Sequence, residues 1–140
     1  MAEVIVSKTI RVPAEEAWEQ LSSFRGMEKF SPITSCVTFG FGAGATRTCR
    51  LPGMGPIFEE LDEVVDEKME MQYRITEGPF PITDYVSNIK VARIGQRSCT
   101  ITWKCEFQAS ADATKQMVDL FDGFYHTIID SLENVILHQN

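Results

Sequence analysis

DATKQMVDLFDGFYHTIIDSLENVILH, residues 112–138, is the stretch that the rest of the chain has to accommodate. No Pro interrupts it. Met117, Phe121, Phe124, Ile128, Leu132 and Val135 recur at three- or four-residue steps, the spacing of one helix face. Val118, Tyr125, Ile129 and Ile136 widen that face, while Lys115, Asp119, Asp122, Asp130 and Glu133 occupy the remainder. A helix of this length is roughly 40 Å long. Its aromatic stripe requires a broad apolar surface, which the preceding residues must build.

Those residues read mainly as strands. Residues 3–12 alternate, with Val4, Val6, Ile10 and Val12 on one parity. Pro13 fits the first turn of a short helix, with Glu15 and Glu16 suiting its positive end and Ala14, Ala17, Trp18 and Leu21 forming its apolar side. A second short helical turn follows between Phe24 and Phe30. From Ile33 onward the pattern is β. Cys36–Phe41 and Thr46–Leu51 flank the glycine turn FGAGA. After the connector LPGMGP come Ile57–Val65 and Met69–Thr76. The rigid loop EGPFP then leads into Ile82–Ala92 and Ser98–Phe107. Ser110 or Asp112 can cap the final helix. Strands joined by short turns with helices at both ends predict an antiparallel α+β fold in one domain, residues 1–140.

Composition narrows the function. Hydrophobic residues form 44% and charged residues 24% of the 140, as in ordinary globular proteins. Twenty acidic against thirteen basic residues leave a net charge of −7, which argues against nucleic acid or an anionic membrane as partner. Apolar runs are too short for membrane insertion. MAEVIVSKTIRV does not read as a signal peptide. The four cysteines, Cys36, Cys49, Cys99 and Cys105, form no CxxC pair. They are expected to be unpaired, buried structural thiols in a reducing cytoplasm.

Strand parity identifies the surface that meets the helix. Cys99, Ile101, Trp103, Cys105 and Phe107 share one face of the last strand. Tyr85, Ile89 and Val91 share one face of the strand before it, and Met69, Met71, Tyr73 and Ile75 one face of the strand before that. Phe121, Phe124, Tyr125 and Ile128 come down to meet them, with Gly123 expected to ease close approach or bending. Tyr and Trp carry polar atoms that need partners when buried, so this surface suits a pocket lining better than a dry core. Space filled solidly by Phe58, Tyr73, Trp103 and Phe121 would rule the pocket out. Arg47 shares the parity of Cys49 and Leu51, and Glu59 that of Ile57 and Leu61. The arginine either lies inside, paired with Glu59 or Glu60, or forms an ordinary outward cross-strand pair.

GxSxG, HExxH and P-loop motifs are absent, so no residue is assigned a catalytic role; Arg47 and Glu59 are the candidates. His126 falls at the edge of the helix stripe or in solvent, and His138 at the helix end. No metal site and no cofactor are expected.

VPAEEAWEQLSSF with KFSPI, then GFGAGATR, then IFEEL with Asp66 and Tyr73, EGPFPITDY, TITWKCEF and the long helix with Tyr125 and Leu132 together resemble the SRPBCC (START-like, helix-grip) superfamily. The chain is most similar to its polyketide cyclase/dehydrase branch. The resemblance implies a curved seven-stranded antiparallel sheet gripping the C-terminal helix, two short helices after strand 1, and a cavity between sheet and helix. It also implies that Arg47 and Glu59 match the family's glycine-hairpin arginine and following-strand glutamate, and that Tyr73, Tyr85 and Trp103 match its cavity aromatics. LPGMGP and EGPFP correspond to loops flanking the mouth.

The expected function is binding or carriage of a small hydrophobic molecule such as a lipid, polyketide or aromatic metabolite. The expected ligand-binding residues are Arg47, Phe58, Glu59, Met71, Tyr73, Tyr85 and Ile89, then Ile101, Trp103, Met117, Phe121, Phe124, Tyr125 and Ile128. A cyclase/dehydrase in the same cavity and a chaperone-activator-like interaction domain are the alternatives. Monomer and homodimer both remain open.

Overall fold

In the computed structural model, which describes residues 1–139, the N-terminal alternation forms β1 (Ala2–Ile10) and α1 (Ala14–Ser22) follows it. Pro13 caps α1 in an extended conformation, its carbonyl accepting from the amides of Glu16 and Ala17. The second helical segment is a single 3-10 turn, Met27–Lys29. Then come β2 (Ser35–Phe39), β3 (Thr46–Arg50), β4 (Pro56–Val65), β5 (Glu70–Glu77), β6 (Ile82–Gly95), β7 (Ser98–Ala109) and α2 (Ala111–Leu137). The sheet has seven strands in the order β1-β7-β6-β5-β4-β3-β2, with antiparallel neighbours throughout. This is the α+β helix-grip arrangement.

The Ser110 side chain accepts from the Ala113 amide and caps α2. Met117, Phe121, Tyr125, Ile128, Ile129, Leu132 and Ile136 are buried against the sheet. Such side chains contribute roughly 1.5–3 kcal/mol each, far more than helix propensity does. Lys8, on the otherwise apolar parity of β1, reaches Asp130 at 2.5 Å. The Arg11 amide donates to Glu133 at 2.6 Å. Both contacts tie the helix to the β1 edge.

β2 and β3 pair so that Cys36 stands opposite Cys49, and the two form a disulfide. The expectation of four unpaired thiols is therefore corrected. A six-residue turn, Gly40–Ala45, places both cysteines the same number of residues from its ends. Gly42 and Gly44, at φ +68° and +92°, permit that turn. Cys99 and Cys105 remain buried thiols. Disulfides persist in oxidising compartments, so the cysteines no longer support a cytoplasmic location. Among the described residues, no helix is long and apolar enough to cross a membrane.

One irregularity matters for the site. Pairing between β5 and β6 ends at Arg74 opposite Val86. Beyond it, Ile75 and Glu77 pair only with β4, and Ile82 and Thr83 only with β7. Asp84 takes φ +56° where the β6–β7 register shifts, a bulge that bends β6 away. The two strands splay around the EGPFP loop.

A cleft between sheet and helix

Aromatic contacts largely fill the space beneath α2. Trp103 stacks on Tyr125, Phe107 packs edge-on to Phe121, and Phe121 also meets Tyr85 and Phe80. The polar atoms in this cluster satisfy one another. Trp103 Nε1 donates to Ser87 Oγ at 3.0 Å and lies 3.3 Å from Tyr73 Oη. Ser87 Oγ donates to the Lys104 carbonyl at 3.1 Å. The Tyr85 and Tyr125 hydroxyls bond to each other. Among the described residues, no buried side-chain nitrogen or oxygen lacks a partner. A polar-tipped aromatic cluster can thus form a dry core when its members pair, which weakens the inference from residue type to pocket.

A narrow cleft of about 40 Å³ remains near the EGPFP loop. That is far below the roughly 300–1,000 Å³ of small-molecule pockets. Of the residues predicted to bind ligand, Glu59, Tyr73, Tyr85, Phe121, Phe124 and Tyr125 line it. Met71, Ile89 and Trp103 instead border a void of about 10 Å³ beneath α1, shared with Arg47. Ile101, Met117 and Ile128 are packed core side chains.

Phe58 requires a correction. Its parity is opposite to that of Ile57, Glu59 and Leu61, and it is 37% exposed on the outer face. Gly123 requires another: it is exposed, and a Cβ there would meet nothing within 4 Å, so it eases no close approach.

The cleft also contains residues that were not predicted to bind. Met27, Ile33, Leu51, Ile57, Ile75, Phe80 and Leu120 complete its wall. Leu51, Ile57 and Ile75 were legible from the parity of Arg47, Glu59 and Tyr73. Phe80 sits in a loop already expected at the mouth. Leu120, three residues after Met117 and four before Phe124, was legible as the edge of the helix stripe. Ile75, Phe80 and Tyr85 also face the surface hollow left by the splayed strands.

Arg47 lies inside, 5% exposed. It stands opposite Glu59 in the β3–β4 register, and its Nε donates to Glu59 Oε1 at 2.5 Å. Glu60 is engaged elsewhere, by the half-exposed Arg74 at 2.6 Å. The Arg47 guanidinium carbon lies 3.9 Å from the Phe24 ring centroid and 5.2 Å from that of Tyr73, the range of cation–π attraction. Phe24 takes φ +61°, a left-handed conformation costly for a bulky side chain. That strain accompanies the placement of its ring against Arg47.

Burial is the main cause of the high pKa values here. It pushes Tyr73 up to about 12, with the Glu59 carboxylate adding to the shift. Burial also raises Tyr85 and Tyr125 well above the ordinary phenol value, and Cys99 and Cys105 to about 11. At neutral pH all these groups are protonated. His126 lies partly exposed, 3.8 Å from Asp122. Among the described residues, no group of three or more His, Cys, Asp or Glu side chains could hold a metal ion.

A seven-stranded antiparallel sheet around a long C-terminal helix defines a START-like, helix-grip protein. Residues 1–136 match the model of the family described as polyketide cyclase / dehydrase and lipid transport, and the chain belongs to that family. Among solved structures it is similar to the protein XoxI from Bacillus cereus, with 25% identity and a TM-score of 0.88 over 99% of this chain and 97% of that one. An uncharacterized protein from Bacillus thuringiensis is also similar, with 25% identity and a TM-score of 0.86 over 97% and 99% of the two chains. Norcoclaurine synthase from Thalictrum flavum, solved in complex with dopamine and hydroxybenzaldehyde, shares the fold at 18% identity. Its TM-score is 0.77 over 99% of this chain and 87% of that one. No curated protein sequence matches the chain.

Proposed function

We propose that this protein binds or carries a small hydrophobic molecule in the cleft between the sheet and α2. The observation that carries this reading is the cleft itself, an apolar wall with Glu59 and the phenols of Tyr73, Tyr85 and Tyr125 set into it. Its small volume means that binding opens it. Phe80 and Phe124 are only half-buried and Leu120 is exposed, so these three are the side chains free to move aside. The splayed β5–β6 segment supplies a second wall that can give. Native mass spectrometry of protein purified from its own host tests the proposal. The expected result is a small molecule that travels with the folded protein and is released on denaturation. If nothing travels with it, and no apolar probe shifts the aromatic resonances of Tyr85 or Phe121, the reading fails.

Two other readings each have one supporting observation. A polyketide cyclase/dehydrase-type reaction would draw on Glu59, which lines the cleft together with three tyrosines. Glu59→Gln would then abolish turnover, whereas in a carrier it would only alter binding. An interaction domain would draw on Val37, Phe39, Phe41 and Phe58, exposed around the β2 edge.

A further inference from the structure

We infer that the outer face of β2, β3 and β4 is the contact surface of a weak two-fold dimer of this chain. The cleft lies on the inner face of the sheet, so the inference does not depend on the cleft-binding reading. Thr38 Oγ1 donates to the Phe24 carbonyl at 3.0 Å on the inner side of β2, and the alternation of the strand turns Val37 and Phe39 outward. Val37 stands opposite Thr48, and Thr48 opposite Phe58, an outward row across three strands. The next outward row on one side is Phe39, Thr46 and Glu60, and on the other Ser35, Arg50 and Pro56. Phe39 and Phe41 are 69% and 85% exposed, and Val37, Met54 and Phe58 are exposed as well. No charged residue occurs between Lys29 and Arg47. The outward positions of β5, β6 and β7, by contrast, carry Gln72, Arg74, Asn88, Lys90, Lys104 and Glu106. An apolar patch rimmed by polar residues, on a sheet that is otherwise charged, marks a contact surface.

The placement of charge around the patch fits a second copy. Arg50 is exposed at one end and has no ion-pair partner among the described residues. Glu60 stands at the other end, held by Arg74. Consider two copies packed face to face about a two-fold axis that crosses the strands at the Val37 row. That row then lies on itself, apolar on apolar. Strand direction is reversed, so Arg50 comes over the second copy's Thr46, about 4.8 Å to the side of its Glu60. The turn that carries Phe41 comes over the connector that carries Met54, where sulfur and ring attract. Each contact is made twice, as an isologous interface requires. An axis along the strands instead sets Arg50 against Arg50 and is disfavoured. Elsewhere on the surface, two copies that each carry a net charge of −7 repel. Three strands and the two turns cover about 14 by 25 Å, less than the roughly 800 Å² per partner of a standard interface. The dimer is therefore reversible, with a Kd in the micromolar range or weaker.

Sedimentation velocity between about 1 μM and 1 mM, the span of weak complexes, tests the inference. The expected result is a monomer at the low end and a growing dimer fraction toward the high end. A monomer throughout overturns the inference. So does flotation with neutral lipid vesicles by a protein that stays monomeric, which would assign the patch to a lipid surface.

Three exposed-face variants, each checked for an unchanged Tm, locate the contact. Val37→Asp sets two carboxylates against each other on the axis and is expected to weaken the dimer at least about tenfold. An unchanged Kd overturns the inference. Arg50→Glu and Glu60→Arg are each expected to weaken it about fivefold, the scale of rim ion pairs made repulsive. An equal mixture of these two variants restores opposite charges at both ends and is expected to associate as the original protein does. A mixture no more associated than either variant alone overturns the proposed arrangement.

Discussion

Trp103 and Tyr125 stack across the sheet–helix interface with ring centroids 5.1 Å apart and planes 16° apart. Both are fully buried, and each also has a polar partner, Ser87 for the indole and Tyr85 for the phenol. This contact closes the middle of the interface and confines the free volume to the end near the EGPFP loop. Trp103→Ala is expected to lower stability by about 3–5 kcal/mol, the cost of removing a large buried aromatic. Urea denaturation followed by circular dichroism measures it. A loss below about 1 kcal/mol would mean that the stack does not hold the helix down.

The Arg47–Glu59 pair makes an opposite prediction for single and double variants. Arg47→Met alone strands a carboxylate that is 12% exposed and is expected to cost about 3–5 kcal/mol. Arg47→Met with Glu59→Leu is expected to restore most of that loss. A double variant as unstable as the single one would show that the pair contributes through packing rather than charge.

The disulfide between Cys36 and Cys49 closes a short loop across the β2–β3 hairpin. A bridge over so few residues stabilises by about 3 kcal/mol in the chain-entropy account. Reductant should therefore lower Tm. Alkylation of the unfolded protein should label two thiols without reductant and four with it, since the chain has four cysteines. Four labels without reductant would remove the disulfide.

Alkaline pH should unfold the protein. Tyr73 titrates near 10 when unfolded and at about 12 when folded, and Cys99 and Cys105 shift from 9 to about 11. Each of these groups is neutral when protonated and has a raised folded pKa. Its stabilisation is fully present below the unfolded value and is lost as pH rises through the folded one. Stability is therefore expected to be unaffected by these groups below about pH 9 and to fall steadily between about pH 9 and 12. Tm measured across that range, with tyrosinate absorbance appearing only on unfolding, checks it. Tyrosinate appearing in the folded protein near pH 10 would show that the phenols are not sealed.

Much of the architecture could be read from local pattern. The α2 stripe, the alternation of β6 and β7 and the glycine hairpin each follow from residues near one another in the chain. The inward Arg47 and its pairing with Glu59 were one of two open arrangements, because parity orders side chains along a strand without saying which face is buried. The cysteine bridge was legible but missed: a six-residue turn places Cys36 and Cys49 opposite each other once the hairpin register is counted from it. Phe58 was misplaced against its own parity, since its size outweighed its position. Leu120 was overlooked, although it stands three residues after Met117 and four before Phe124 at the edge of the helix stripe.

By itself, then, the sequence determined the order of elements, the α+β class, the faces of most strands and the residues that could meet α2. These are short-range properties, set by the periods of 2 and 3.6 residues and by turn chemistry. Only the tertiary structure decided how much space survives beneath α2 and which side chains line it. Cavity volume is the small difference between a sheet's curvature and the side chains packed onto it, and interiors pack to nearly crystalline density. Parity could bring Tyr73, Tyr85, Trp103 and Tyr125 to one face. It took the assembled sheet and helix to turn most of that face into core, leave a narrow cleft at one end, and set Glu59, paired with the buried Arg47, in its wall.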